Sequence, residues 1–196
     1  MGIELETALT PREASFVADV GYDRITKAFE NREVTNVAGR PRKRTLDLRG
    51  VFAMAVADRL KRYPDPVKKR IQGQIAAAMK NARALSDVQD VACDDQVVVT
   101  TFRATELARG VEERLRKVER MRELIVDDED VQAGAPTFRG TRIMVRHIAG
   151  LIGNGVDRQE IAEDFPEVTD EMIDLATLYD RLYPQRGRPV AKSRTA

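Results

Sequence analysis

The stretch from Gly134 to Val145, Gly-Ala-Pro-Thr-Phe-Arg-Gly-Thr-Arg-Ile-Met-Val, constrains the fold more than any other part of this sequence. Gly134, Pro136 and Gly140 exclude a regular helix or strand across it, because proline lacks a backbone N–H and glycine favours turns. Ile143 and Val145 then direct a short extended piece towards a core. The sequence therefore predicts a structured loop that leads into a helical region.

Three capped helices are predicted after this loop. Gly155 suits the left-handed position that ends the first helix, Asp157 can cap the second, and Thr169 can cap the third. The third helix must stop before Pro184. We therefore expect a three-helix, homeodomain-like domain over residues 127–184, in a chain that is mainly α with small β elements.

The first 63 residues carry the signals of a winged helix-turn-helix domain. Thr10-Pro-Arg-Glu13 forms a capping box, and Gly21 separates this first helix from a second helix over residues 22–31. Strand-like runs at residues 34–37 and 45–48 enclose a basic turn, as in a hairpin wing, and a third helix is predicted over 50–62. In such a domain the second helix enters the major groove and the wing meets phosphates. The predicted DNA-binding residues are Tyr22, Asp23, Thr26, Lys27, Arg40, Arg42, Lys43 and Arg44.

Residues 64–126 are predicted to form a segment of helices and strands. The pattern indicates a helix over residues 67–85, a β-branched strand over 97–102 and a second helix over 104–122. Apolar residues at near-heptad spacing form a stripe on the predicted helix over residues 104–122. This stripe fits either a homodimerisation element, as the symmetry of winged-helix repressors favours, or a core face. Periodicity does not separate the two interpretations. The stripe consists of Leu107, Val111, Leu115, Val118 and Met121.

The net charge of +1 hides an asymmetry between the two ends of the chain. Residues 24–49 contain eight Lys/Arg and three Asp/Glu, a balance of +5, whereas residues 125–183 contain five Arg and thirteen Asp/Glu, a balance of −8. DNA phosphates attract the first segment and repel the second. We therefore assign DNA to residues 1–63 and a protein partner to residues 127–184. The competing interpretation is a set of packed helices with a solvated basic loop.

The sequence lacks the usual catalytic and metal-binding signatures. One cysteine, Cys93, and one histidine, His147, cannot build an ordinary zinc site, and no phosphate-binding loop or nucleophile elbow occurs. The acidic run Asp127–Asp130 lacks the ligand pattern of a calcium loop. No segment approaches the ~18 apolar residues of a membrane helix, and one cysteine fits a reducing compartment. We expect a cytoplasmic protein without enzymatic activity, metal or cofactor.

Residues 10–60 resemble the winged helix-turn-helix of the MerR and excisionase-like group. The resemblance rests on the Thr-Pro-Arg-Glu-Ala start, the second helix and the basic hairpin before an apolar helix. Three positions depart from the usual pattern: Asp19 and Arg32 stand where glycine is common, and Gly21 stands where a serine cap is common.

Residues 125–183 resemble a family of small bacterial domains of formally unknown function, which are commonly encoded as antitoxins of type II toxin–antitoxin pairs. Met144 stands where that family usually has proline. The motif residues, which are structural or partner-binding, are Gly134, Pro136, Arg139, Gly140, Thr141 and Arg142.

With the winged module, the chain as a whole resembles a VapB-type antitoxin. The resemblance implies that it neutralises a cognate PIN-domain, VapC-type ribonuclease toxin and binds operator DNA to repress its own operon. The alternatives are a toxin-independent transcription regulator and an adaptor that binds only protein. The basic tail, residues 185–196, fits a minor-groove binder, a solvated end, or a plug in which Arg186 and Arg188 pair with the carboxylates of the toxin.

Overall fold

In a computed structural model, the described residues are 5–34, 36, 44–94 and 99–185. Within them the chain forms eight α-helices and two small antiparallel sheets of two strands each, which confirms the expected mainly α fold with small β elements. The chain divides into two compact units, residues 1–118 and 119–196. The N-terminal unit therefore contains most of the segment that the sequence sets apart as residues 64–126.

The N-terminal unit is built from four helices, a hairpin and the first part of a fifth helix. Helices α1 and α2 pack together, α3 packs on both α1 and α4, and α4 packs on β1. The hairpin pairs β1 with β2, with Val91 opposite Phe102. The elements are α1 (Pro11–Ala18), α2 (Tyr22–Glu30), α3 (Leu48–Arg59), α4 (Asp65–Asn81), β1 (Val91–Asp94), β2 (Val99–Phe102) and α5 (Ala104–Leu124).

The capping box predicted at the start of α1 is confirmed. The Thr10 N–H donates to the Glu13 carboxylate at 2.7 Å, and the Glu13 N–H donates to the Thr10 hydroxyl at 3.4 Å. Two N–H groups that lack helical partners are thereby satisfied. The helix then buries Ala14 and Val17, neither of which is exposed to solvent.

Much of the predicted hairpin wing, residues 35 and 37–43, lies outside the described part of the chain. Leu46 pairs with Leu9, exchanging backbone hydrogen bonds of 2.8 and 2.9 Å. Leu48 belongs to α3, because the Asp47 side chain accepts from the Gly50 N–H at 2.7 Å and caps that helix. The predicted strand run 45–48 is therefore wrong at its end, where Leu48 is helical, whereas Leu46 is extended and pairs with the N-terminal segment.

The stripe on α5 is buried within the single chain. Val111, Leu115 and Val118 have no exposed surface and Met121 is 1% exposed, whereas Leu107 is only half-buried. These side chains are therefore already covered in the monomer, which favours the core interpretation over dimerisation through α5.

The C-terminal unit consists of a small sheet and three helices, besides the end of α5. Strands β3 (Ile125–Val126) and β4 (Thr137–Phe138) pair, with Ile125 opposite Phe138. The helices are α6 (Val145–Gly153), α7 (Arg158–Asp164) and α8 (Asp170–Leu182). Helix α6 packs mainly on α8 and also on α7.

The predicted ends of these three helices are confirmed. Gly155 has φ = +85° after α6, the left-handed conformation that glycine adopts without strain. The Asp157 side chain accepts from the Gln159 N–H at 2.8 Å, and the Thr169 hydroxyl accepts from the Met172 N–H at 3.3 Å.

No helix in the described part of the chain is both long and apolar enough to cross a membrane.

Candidate functional site

Helix α2 presents a polar face to solvent. Its inner positions, Ile25 and Ala28, are fully buried, and this anchors the helix in the N-terminal unit. Of the residues that the sequence predicts as DNA contacts, Tyr22, Asp23 and Lys27 are exposed, with Tyr22 at 42%. The fourth, Thr26, is half-buried and its hydroxyl donates to the Tyr22 carbonyl at 3.1 Å. The structure therefore brings all four together on one helix and leaves three of them open to a partner.

A three-residue turn, Asp19-Val20-Gly21, joins α1 to α2. Asp19 is left-handed, with φ = 56°, and its carboxylate pairs with Arg59 at 2.7 Å. Val20 is 5% exposed, and its carbonyl accepts from the Ser15 hydroxyl at 2.6 Å. These contacts fix the angle between the two helices, so the position of α2 does not depend on the exposed residues of its own outer face.

Arg114 of α5 also supports this turn. Its Nε donates to the Val17 carbonyl at 2.8 Å, at the end of α1. Burial lowers the pKa of the Arg114 guanidinium from its ordinary value, and the nearby Asp19 carboxylate opposes that shift. Arg114 remains charged at neutral pH because the ordinary pKa of arginine lies far above 7.

Two arginines stack on aromatic rings at the two ends of α2. The Arg12 guanidinium carbon lies 4.7 Å from the centre of the Tyr22 ring, and the Arg44 guanidinium carbon lies 5.7 Å from the centre of the Phe29 ring. Both arginines are exposed. A cation over a ring face is attracted by the quadrupole of the ring, whose face carries partial negative charge. Sequence reasoning predicted Arg44 but missed Arg12, because no local pattern shows that a helix-start arginine meets the first residue of the next helix.

Other charges near α2 are neutralised within the unit. Arg24 pairs with Glu33 at 2.6 Å. The hydrogen bond from Arg24, and then the one from Asn31, hold the pKa of the Glu33 carboxyl below its usual range. The exposed positive charges of this region therefore include Lys27, Arg32 and the two stacked arginines, whereas Arg24 is paired.

Several predicted site residues lie outside the described part of the chain. They are the remaining wing cations and the tail arginines: Arg40, Arg42, Lys43, Arg186 and Arg188.

The Gly134–Val145 loop is a tight turn held by its own motif residues. The Phe138 N–H donates to the Ile143 carbonyl at 3.2 Å, so the chain reverses between these two residues. Gly140 lies in the turn with φ = +80°, where a side chain would be strained. The Thr141 hydroxyl donates to the Phe138 carbonyl at 3.0 Å and accepts from the Ile143 N–H at 3.1 Å. Gly140 and Thr141 thus act as structural residues of this turn.

The two arginines of the motif have different environments. The Arg139 Nε donates to the Glu123 carbonyl at 2.7 Å, and its backbone N–H donates to the Leu124 carbonyl at 2.7 Å. Arg139 therefore satisfies the last carbonyl groups of α5, which have no helical partner. Arg142 is exposed, and within residues 5–34, 36, 44–94 and 99–185 its guanidinium has no hydrogen bond or ion pair. It lines an open cleft of about 580 Å³ together with Asp128 and Glu167.

The carboxylates of α8 are largely paired within the C-terminal unit. Arg158 contacts two of them, and Arg120 and Arg146 contact one each, with the closest atoms 2.5 to 3.7 Å apart. The paired residues are Asp170, Glu171, Asp174 and Asp180. The excess negative charge of this unit therefore falls on exposed carboxylates of residues 127–130 and 157–167.

The two possible catalytic groups belong to different units of the chain. Cys93 is a buried residue of β1, and His147 is an exposed residue of α6 whose ring packs edge-on against Phe165 at 5.5 Å. In the described residues no group of three His, Cys, Asp or Glu side chains could hold a metal ion.

An open cleft of about 610 Å³ lies between α3 and α4 and is mainly apolar. The Arg49 side chain in this cleft already donates hydrogen bonds to the Met79 and Ala82 carbonyls.

Residues 125–179 match the family model described as "Protein of unknown function (DUF433)". The "Uncharacterized protein y4eO" of Sinorhizobium fredii is 35% identical over 80 residues, which are 41% of this chain and 36% of that protein. The match thus spans little more than a third of this relative. The crystal structure of Rv2018 from Mycobacterium tuberculosis aligns with 16% identity over 89% of this chain and 100% of that chain, with a TM-score of 0.38. The resemblance of the C-terminal unit is therefore confirmed at the level of a family of unknown function.

Proposed function

We propose that the N-terminal unit binds double-stranded DNA through α2. The observation that carries this proposal is the exposed face of α2, with Tyr22, Asp23 and Lys27 presented by the second helix of a pair joined by a three-residue turn. This is the arrangement in which the second helix of a helix-turn-helix enters the major groove. Asp23 suits recognition of a cytosine amino group, and Lys27 suits guanine or phosphate.

The charge and connectivity of the following segment support the same proposal. The Asn36 side chain accepts from the Thr45 N–H at 2.7 Å, so the residues on either side of the basic segment 37–43 are joined. Arg44, which directly follows this segment, lies over the Phe29 ring in the last turn of α2. In this proposal residues 1–63 act as a winged helix-turn-helix, with Arg40, Arg42 and Lys43 on phosphates.

For the C-terminal unit we propose a protein partner. Its excess of exposed carboxylates would repel DNA and fits a basic protein surface. The antitoxin resemblance of the sequence favours a PIN-domain ribonuclease toxin as this partner. The chain would then be a cytoplasmic, homodimeric antitoxin that acts by binding rather than by catalysis. It would inhibit the toxin, with Arg186 and Arg188 near the toxin carboxylates, and repress its own operon.

DNA binding is tested by fluorescence anisotropy of labelled duplexes containing the region upstream of the gene, with the full chain at several salt concentrations. We expect Lys27→Gln to weaken binding and to reduce the salt slope by about 0.9 if Lys27 meets one phosphate. Lys69→Gln removes the same charge from an exposed position on α4 and should leave the slope unchanged. Equal binding by the wild type and the Lys27 variant would contradict the placement on α2.

The antitoxin assignment is tested by co-expression with the neighbouring reading frame, if that frame encodes a PIN-domain protein. Co-purification and restored growth would support it. DNA binding without either result would favour the alternative, a toxin-independent transcription regulator. Deletion of the residues after Pro184 tests the tail: full inhibition by the shortened chain would exclude a role of Arg186 and Arg188 as a plug.

A further inference from the structure

We propose that Arg12 and Arg44 form a phosphate clamp, in which each arginine contacts a DNA phosphate near one end of α2. The inference rests on the proposed DNA-binding function and extends it to a residue outside α2 and outside the basic hairpin. Arg12 belongs to the first turn of α1, where the capping box formed by Thr10 and Glu13 holds the backbone.

The two charges lie at opposite ends of α2. Arg12 lies over Tyr22, the first residue of α2, and Arg44 lies over Phe29 in the last turn of the same helix. At a rise of 1.5 Å per residue, the seven residue steps from Tyr22 to Phe29 correspond to about 10 Å along the axis. The two cations therefore lie near the two ends of the helix that would occupy the groove.

Arg12 and Arg44 are both exposed, and each is held by a ring rather than by a carboxylate. Arg24, which also lies on α2, is instead neutralised by Glu33 at 2.6 Å. A guanidinium stacked on a ring keeps its N–H groups at its edge, free to donate to phosphate oxygens. The aromatic contacts thus restrict two long side chains without consuming their hydrogen-bonding capacity.

Phosphate contacts near both ends of a recognition helix set its depth and register, but they do not select a base sequence. We therefore infer that Arg12 contributes to affinity for every duplex, and that base selection depends on Tyr22, Asp23 and Lys27.

The experiment measures duplex affinity for the full chain against salt concentration, for an upstream duplex and for a scrambled one. Arg12→Gln should reduce the salt slope by about 0.9 and weaken both duplexes by the same factor, about eightfold at 0.1 M salt with convergence towards 1 M. Arg44→Gln should behave alike, and the double variant should lose about 1.8. Arg12→Lys should retain the slope. Arg109→Gln is the matched control, because Arg109 is an exposed arginine on α5.

The possible outcomes separate the clamp from the DNA-binding proposal. If the wild type binds DNA and Arg12→Gln has the wild-type slope, the clamp is refuted while DNA binding stands. If Arg12→Gln weakens only the upstream duplex, Arg12 reads bases and the clamp is also refuted. If the wild type binds neither duplex, the proposed function fails and this inference fails with it. The thermal unfolding midpoint of Arg12→Gln is measured as a control. A midpoint equal to that of the wild type shows that a reduced salt slope does not result from unfolding of the variant.

Discussion

Replacement of Arg139 by alanine should destabilise the C-terminal unit. The side chain donates a charged hydrogen bond of 2.7 Å to the Glu123 carbonyl at the end of α5. Charge-assisted hydrogen bonds contribute about 1.5 to 3 kcal/mol when shielded, and a cation at a helix C-terminus contributes about 0.3 to 1 kcal/mol. Arg139 is exposed, so solvent reduces both contributions. We expect a loss of about 1 to 2 kcal/mol in the free energy of unfolding.

Thermal unfolding of the full chain, followed by far-ultraviolet circular dichroism, measures this loss. For a chain of this length a change of 1 kcal/mol shifts the midpoint by about 2 to 4 °C, so Arg139→Ala should lower it by roughly 2 to 8 °C. Arg142→Ala is the matched control, because this motif arginine has no side-chain bond within the described residues; it should stay within about 0.5 kcal/mol of the wild type. An unchanged midpoint for Arg139→Ala, or equal losses for both variants, would refute the structural role of Arg139.

Three further substitutions test other parts of the structure. Arg32→Gly should raise stability to urea by about 0.5 to 1 kcal/mol, because Arg32 has φ = 57° and relief of left-handed strain outweighs the entropic cost of glycine; a lower midpoint would contradict this. The Asp90 carboxylate accepts from the N–H and hydroxyl of Thr105, which lowers the pKa of Asp90 in the folded state. Its contribution to stability is therefore present above about pH 4 and is lost as the pH falls below that value, through the lowered pKa of the folded state. Asp90→Asn should flatten the acid side of the stability profile, and an unchanged loss of stability below about pH 4 would contradict this. Leu115→Ala should cost about 2 to 5 kcal/mol without altering the mass measured by light scattering, whereas a change in oligomeric state would favour dimerisation through α5.

The helix ends could be predicted because their signals are local. Thr10 and Thr169 each cap a helix through an N–H three residues later, and Gly155 adopts the expected left-handed conformation. Asp19 and Arg32, which occupy positions where the resembled group has glycine, both have positive φ. The backbone at these two positions therefore has the left-handed conformation that glycine adopts most readily, although neither residue is glycine.

Long-range pairings could not be predicted in the same way. The residues at Thr45–Leu48 favour extended structure, but this preference does not identify their partner, and Leu46 pairs with Leu9. The Asp47 cap is a local signal that would have placed Leu48 in α3. In the candidate site, the four residues of α2 followed from helical periodicity. The contact of Arg12 with Tyr22 depends on the angle between two helices, which periodicity does not contain.

The sequence predicts that residues 125–183 repel phosphate because of their excess negative charge. Four carboxylates of α8, however, pair with arginines of the same unit. Repulsion of phosphate by the C-terminal unit therefore depends more on residues 127–130 and 157–167 than on α8 itself.

We propose that α2, and not α8, contacts DNA. The most direct test is a backbone NMR comparison of the full chain with and without a saturating duplex. If α2 contacts DNA, we expect chemical-shift changes concentrated in residues 22–30, at Arg12 and at Arg44, with residues 170–182 unchanged. Changes centred on residues 170–182, with residues 22–30 unaffected, would contradict it.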